Sequence, residues 1–207
     1  MRMRKKKHRN SRIESCSDLL FCFDAFDFKL PVFLEIGCGK GGFICELARL
    51  NPDFNFVALE RNPDVAVLAM EMAAGLGLNN LRFIIGDAIG LDTYFKPSEV
   101  SGIYLNFSDP WHKNYQIHKR LTYKSYLEIY KRILIPGSKI IMKTDNQPFF
   151  DFSVRSLSAN GFEILNQTRD LYSGEFSECK GNIQTEYEKK FVGEGVKICR
   201  VEAVYLN

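Results

Sequence analysis

Long apolar runs, clustered cysteines and histidines, and a strong excess of charge of either sign are all missing from this 207-residue chain. No stretch approaches the ~20 consecutive apolar residues of a membrane-spanning helix, so no membrane partner is expected. The cysteines (Cys16, Cys22, Cys38, Cys45, Cys179, Cys199) contain no C-x-x-C pair, and His8, His112 and His118 stand at no zinc spacing from them. No metal site is expected, and reduced thiols are expected rather than a disulfide framework. The basic start MRMRKKKHRN is not followed by an apolar core of signal-peptide length, because Asp24 and Asp27 interrupt residues 19–28. A cytoplasmic location follows as an expectation. The formal net charge of +3 is too small to imply a polyanionic partner, so the distribution of charge must carry any such argument. What is present is an ordinary folding composition, 45% hydrophobic and 13% aromatic, at a length that suits one domain.

From residue 32 onward, short β-rich runs alternate with helical periods. Strands are expected at 32–36, 54–60, 81–85, 100–107, 139–143, 162–165 and 196–205. Phe43, Ile44, Leu47 and Ala48 recur at helical spacing until Asn51-Pro52. Asn62-Pro63-Asp64 supplies an N-cap, a proline at the first helical position and an early acid for the next helix. Thr122 is expected to cap a third helix, which Pro136-Gly137 ends, and Asn160-Gly161 closes a fourth. Strict alternation of strand and helix predicts an α/β fold, a mainly parallel sheet with helices on both faces. Ligands of such folds bind outside the carboxyl ends of the strands. The residues expected there are Glu35, Glu60, Asp87, Asn106, Asp109 and Asp145, all but one of them acids.

The first loop, Glu35-Ile36-Gly37-Cys38-Gly39-Lys40-Gly41-Gly42, satisfies the dinucleotide pattern G-x-G-x-x-G through Gly37, Gly39 and Gly42. A pyrophosphate, however, favours helix N-terminal amides without a neighbouring anion. Glu35 precedes the first glycine by two residues, and further acids end the adjacent strands. Such a rim suits a ligand carrying an ammonium and a sulfonium, as S-adenosylmethionine does. Glu60, 18 residues beyond Gly42, is placed for two ribose hydroxyls, and Asp87 for an adenine amino group.

IGCGKG, YLNFSDPW, KRLTY (119–123), MKTDN (142–146) and TEYE (185–188), together with the basic start, closely resemble the bacterial tRNA (guanine-N7-)-methyltransferase family. The resemblance runs nearly end to end. It implies a Rossmann-like class I methyltransferase fold, a mainly parallel seven-stranded sheet with an antiparallel last strand. The domain would occupy residues 31–207, behind a basic arm and lead-in at 1–30. It also implies S-adenosylmethionine as cofactor, tRNA as partner and N7 of a variable-loop guanine as the target, in a monomer or homodimer. Carried over by position, it places cofactor contacts at Glu35, Gly37, Gly39, Glu60, Asp87 and Asp109, with Asp109 also the catalytic residue. Substrate contacts fall at Lys113, Asp145, Thr185, Glu186, Tyr187 and Glu188, and RNA contacts at Tyr115, Gln116, Ile117, His118, Lys119 and Arg120. His112 departs from the family, where many members carry a second proline, and this bears on the placing of Lys113.

The chemistry of the residues agrees. Guanine N7 has an in-plane lone pair and no proton, so its alkylation needs no obligatory base, only alignment. Asp109 is expected to orient the base and stabilise the developing cation rather than to accept a proton. Lys113, Lys119 and Arg120 interleave with Trp111, Tyr115 and His118, a mixture suited to phosphate contact and stacking. Arg2, Arg4, Lys5, Lys6, Lys7, Arg9 and Arg12, with no acid before Glu14, read as a phosphate-binding arm. Three other readings stay open on residues alone: a methyltransferase of an exocyclic amine, a nicotinamide oxidoreductase, and a non-catalytic RNA-binding module.

Overall fold

The computed structural model describes residues 8–22, 30–173 and 182–206. Among them, seven strands form one sheet in the order β3-β2-β1-β4-β5-β7-β6. They are β1 (Val32–Ile36), β2 (Asn55–Glu60), β3 (Leu81–Ile85), β4 (Val100–Asn106), β5 (Leu134–Thr144), β6 (Phe162–Thr168) and β7 (Cys199–Tyr205). Parallel ladders join β1 to β2 and β4, β2 to β3, and β4 to β5; β7 alone runs antiparallel, against both β5 and β6. The expected fold class is the observed one.

Helices cover both faces because the strands are apolar on both sides. On one face, Leu34, Ile36, Ile103 and Leu105 pack with Leu127 and Tyr130 of α4 (Lys124–Ile133) and Phe149, Phe150 and Leu157 of α5 (Gln147–Ala159). On the other, Phe56, Ala58 and Phe83 pack with Phe43, Ile44 and Ala48 of α2 (Gly42–Leu50) and Ala69 and Met70 of α3 (Pro63–Gly75). The N-terminal helix α1 (Arg9–Glu14) lies against α3, where Arg12 meets Glu71 at 2.6 Å and Arg9 meets Asp64 at 3.6 Å. Leu20 then bridges to Phe83, covering part of the free edge of β3.

Two local expectations differ from the structure. Pro136-Gly137 does not separate helix from strand: α4 ends at Ile133, β5 begins at Leu134, and the exposed pair lies in a bulge where the register passes from Val100↔Leu134 to Gly102↔Lys139. Thr122 does not cap α4, whose N-cap is Tyr123; its buried hydroxyl bonds Ser153 of α5 at 2.8 Å.

α2 and α3 approach closely at Gly41. Its φ is +84°, and a Cβ there would lie 2.7 Å from the Ala69 Cβ. Gly41→Ala therefore combines left-handed strain with overpacking and is expected to cost ~2–4 kcal/mol. A denaturant midpoint that falls with unchanged slope checks this, and an unmoved midpoint contradicts it.

Candidate active site

The chain crosses from β3 at one edge back to β4 beside β1, so the strand order reverses between β1 and β4. Their carboxyl ends open the crevice that doubly wound sheets use for ligands. Two adjoining cavities lie there, of about 350 and 730 Å³. Gly37, Gly39, Val65, Phe107 and Tyr187 line both.

Glu35 is the penultimate residue of β1 and is only 2% exposed. Its Oε1 accepts from the Asn106 amide at 2.8 Å, while Oε2 is buried without a partner. Burial pushes this carboxyl up to about 7, against the opposing pull of Asn106 and Lys143. After it the chain turns through Gly37 and Gly39, at φ +82° and +57°, conformations that glycine adopts without penalty. Glu60, at the end of β2, holds this loop: Oε2 accepts from the Gly39 amide at 3.1 Å and Oε1 from the Asn62 amide at 2.8 Å. Asn62 in turn caps α3, its side chain accepting from the Asp64 amide. Asp87, beyond β3, caps a short 3-10 helix by accepting from the Ile89 amide at 3.1 Å.

Beyond β4 the loop carries Asp109, exposed and 3.7 Å from Arg61. Phe107 and Trp111 both have left-handed φ, +50° and +41°, a strain of about 1–3 kcal/mol per residue that marks functional loops. Two cations lie near the Trp111 ring, Lys119 at 4.9 Å and Arg61 at 5.9 Å from its centroid.

The expected acids thus assemble. Glu60, Asp87 and Asp109 line the larger cavity with Trp111 and Lys119; Glu35 and Asn106 line the smaller one with Thr185, Glu186 and Tyr187. Asp145 and Lys113 line neither, and the Lys113 ammonium lies 5.8 Å from the Tyr115 ring centroid. Tyr115, Gln116, Ile117, His118 and Lys119 share the 3-10 helix Asn114–Lys119, with Tyr115, His118 and Lys119 exposed.

Arg120, expected to contact RNA, also braces the loop: its guanidinium donates to the carbonyls of Pro110 at 2.8 Å and Trp111 at 3.3 Å and lies 4.4 Å from the Phe152 ring centroid. Glu188, expected to contact substrate, is fully buried and pairs with Lys143 at 2.6 Å. Thr185 and Glu188 form a reciprocal capping box at the start of α6 (Glu186–Gly193). The T-x-x-E spacing was the available signal for that box, whereas nothing in the sequence pointed to Lys143, within MKTDN, as the buried partner of Glu188. The expected basic arm is also divided: Arg9 and Arg12 are engaged by α3, and residues 1–7 lie outside the described residues.

Among the described residues, no cluster of three or more His, Cys, Asp or Glu side chains could hold a metal ion, and no helix is long and apolar enough to cross a membrane. A family profile described as "Putative methyltransferase" matches residues 29–201. The chain is 44% identical over 181 residues to a tRNA (guanine-N(7)-)-methyltransferase of Geobacillus kaustophilus, covering 87% of this chain and 82% of that protein. A protein of the same name from Clostridioides difficile is 42% identical over 177 residues, covering 86% of this chain and 81% of the relative. Among solved structures, an antibiotic-related methyltransferase is similar at a TM-score of 0.60 and 15% identity, covering 98% of this chain and 96% of the other. An rRNA methylase from Streptococcus thermophilus gives 0.58 and 14%, with both chains fully covered. These structures show a common fold.

Proposed function

The chain belongs to the tRNA (guanine-N(7)-)-methyltransferase family, and we propose that its paired cavities hold S-adenosylmethionine against a guanine of the tRNA variable loop. The observation that carries this reading is the joining of a buried, half-unsatisfied Glu35 to a larger cavity walled by Glu60, Asp87, Asp109 and Trp111.

The residues fit the cofactor on their own chemistry. The unpartnered Oε2 of Glu35 is an acceptor waiting for a cationic donor, the role an amino-acid ammonium fills. Glu60 keeps further lone pairs for ribose hydroxyls, since each oxygen takes one backbone amide. Asp87 likewise uses one oxygen for its cap and has the other for an adenine amine. When bound, S-adenosylmethionine supplies an electrophilic methyl on a sulfonium. Asp109 accepts from the N–H edge of the guanine and faces the positive charge that spreads into the purine as N7 is alkylated. No group needs to remove a proton before attack, so the residues act by alignment. Thr185, Glu186 and Tyr187 close the cavity from α6, and the Lys40–Glu186 pair at 3.0 Å ties that helix to the glycine loop.

N7 lies on the major-groove edge, which a deep A-form groove hides, so the guanine is taken from an unstacked position. Trp111 offers a stacking face and Lys119 a phosphate contact beside the cavity. In this reading the enzyme works in the cytoplasm, where its substrate is, and residues 1–30 serve as an arm and lead-in to the catalytic unit of 31–207. Borohydride reduction and aniline cleavage of treated tRNA tests the site of modification. A single cut in the variable loop is expected, and cuts elsewhere would overturn the assignment.

Deleting residues 1–7 removes Arg2, Arg4, Lys5, Lys6 and Lys7 and leaves the α1–α3 pairs in place. The slope of log K for tRNA against log salt is expected to flatten by about 0.7–0.9 for each phosphate that the arm no longer neutralises. Filter-binding titrations at several salt concentrations measure it, and an unchanged slope removes the arm from the interface.

A further inference from the structure

Residues 182–188, which include the roof of the smaller cavity, are attached to the sheet by charges that solvent does not reach. The Lys143 side chain is 3% exposed and that of Glu188 0%. Lys143 Nζ donates to Glu188 Oε2 at 2.6 Å, the Asn182 carbonyl oxygen Oδ1 at 3.1 Å and the Ile183 backbone carbonyl at 3.0 Å. An ammonium has three donors, and all are used. Glu188 Oε1 accepts from the Tyr172 hydroxyl at 2.6 Å and the Asn182 amide at 2.8 Å, while Oε2 also accepts from the Thr185 amide at 3.3 Å. Both carboxylate oxygens are committed within the protein, so Glu188 has nothing to offer a substrate.

Lys143 also connects the roof to the floor. It is the register partner of Asn106 across β4 and β5, and Asn106 donates to Glu35. Its ammonium lies 5.1 Å from the ring centroid of Phe43, which lines the same cavity as Glu35. A pair of this kind is not required for stability, since apolar replacements of buried ion pairs are often neutral or better, whereas removal of one partner strands a charge.

We propose that Lys143 and Glu188 are positioning residues for methyl transfer: their buried ion pair clamps the turn carrying Thr185, Glu186 and Tyr187 over the cavity that Glu35 floors. The inference rests on the reading of the site given above and assigns Glu188 to the anchor of the substrate-facing turn rather than to its contact surface.

The test compares K143M, E188Q and the double variant K143M/E188Q by kcat/KM for tRNA, well below the unfolding midpoint of each. Each single variant is expected to lose roughly 30-fold or more, mainly through a raised KM for tRNA, because one charge remains buried and unpaired. The double variant is expected to return to within about 5-fold of the parent, because no charge is then left buried and unpaired and the glutamine carbonyl keeps an acceptor for Tyr172 and Asn182. A double variant as impaired as E188Q would mean that Glu188 touches the substrate, and overturns the proposal. Single variants with lowered midpoints but kcat/KM within about 3-fold of the parent would make the pair merely structural, and also overturn it. Should a single variant fail to fold, the double variant decides by the same limits. The parent protein is assayed first: failure to form 7-methylguanosine would refute the reading of the site, not the clamp.

Discussion

Asp109→Asn is expected to lower kcat for tRNA methylation by roughly 10²–10³-fold, with unchanged circular dichroism and an S-adenosylmethionine affinity within several-fold of the parent. In the free protein Asp109 is exposed and stands near Arg61, where water screens its charge. With a guanine seated and water displaced, the same carboxylate faces a purine that becomes cationic as the methyl arrives, and its interaction strengthens along the reaction coordinate. Asparagine keeps the size but loses the charge, and presents a donor where the guanine N–H edge needs an acceptor. The loss therefore belongs to kcat. An equal fall in cofactor affinity would reassign Asp109 to ground-state binding, and near-normal turnover would reject its role.

Cofactor affinity is expected to rise with pH through about 7, and Glu35 is the reason. Burial raises its carboxyl to about 7, so below that value the group is protonated and neutral. A cationic ligand needs the anion, so binding releases a proton and weakens by up to ~10-fold per pH unit below the raised value. The sign for folding is opposite. Stability from this group is present below the ordinary value of 4.5 and is lost as the pH rises to about 7, because the folded state holds a proton that the unfolded state has released. Glu35→Gln is expected to flatten the pH profile of binding and to weaken S-adenosylmethionine by about 10–100-fold, the worth of one charge-assisted hydrogen bond. Calorimetry at pH 6.5 in buffers of differing ionisation enthalpy measures the proton. No release, or a flat profile in the parent, would place the ammonium elsewhere.

The architecture was legible because its signals are local. The apolar runs at 32–36 and 81–85 became β1 and β3 at those bounds, and Asn62-Pro63 caps α3 as its residue types predict. The rim acids could be named in advance because strand ends and ligand crevice coincide in a doubly wound sheet. Tertiary choices were not legible. Thr122 is a good capping residue by type, yet its hydroxyl finds Ser153 across the α4–α5 contact. Pro136-Gly137 punctuates helices in most contexts, but here an exposed bulge accommodates both residues within β5. Arg120 sits in a basic, aromatic stretch that reads as an RNA contact, and only the fold shows it turned toward Pro110 and Phe152. The burial of Glu188 depends on Lys143 and Tyr172, both distant in sequence, so the sequence alone could not show it.

In the proposed function, joined, acid-walled cavities at the ends of β1, β2 and β4 hold a sulfonium methyl donor against a tRNA guanine. The most direct measurement incubates the purified chain with unmodified tRNA and methyl-labelled S-adenosylmethionine, digests the product to nucleosides and resolves the label. Label is expected in 7-methylguanosine alone, and is lost in Asp109→Asn. Label in an N-methylated exocyclic amine, or none in RNA while the cofactor binds, would contradict the proposed function.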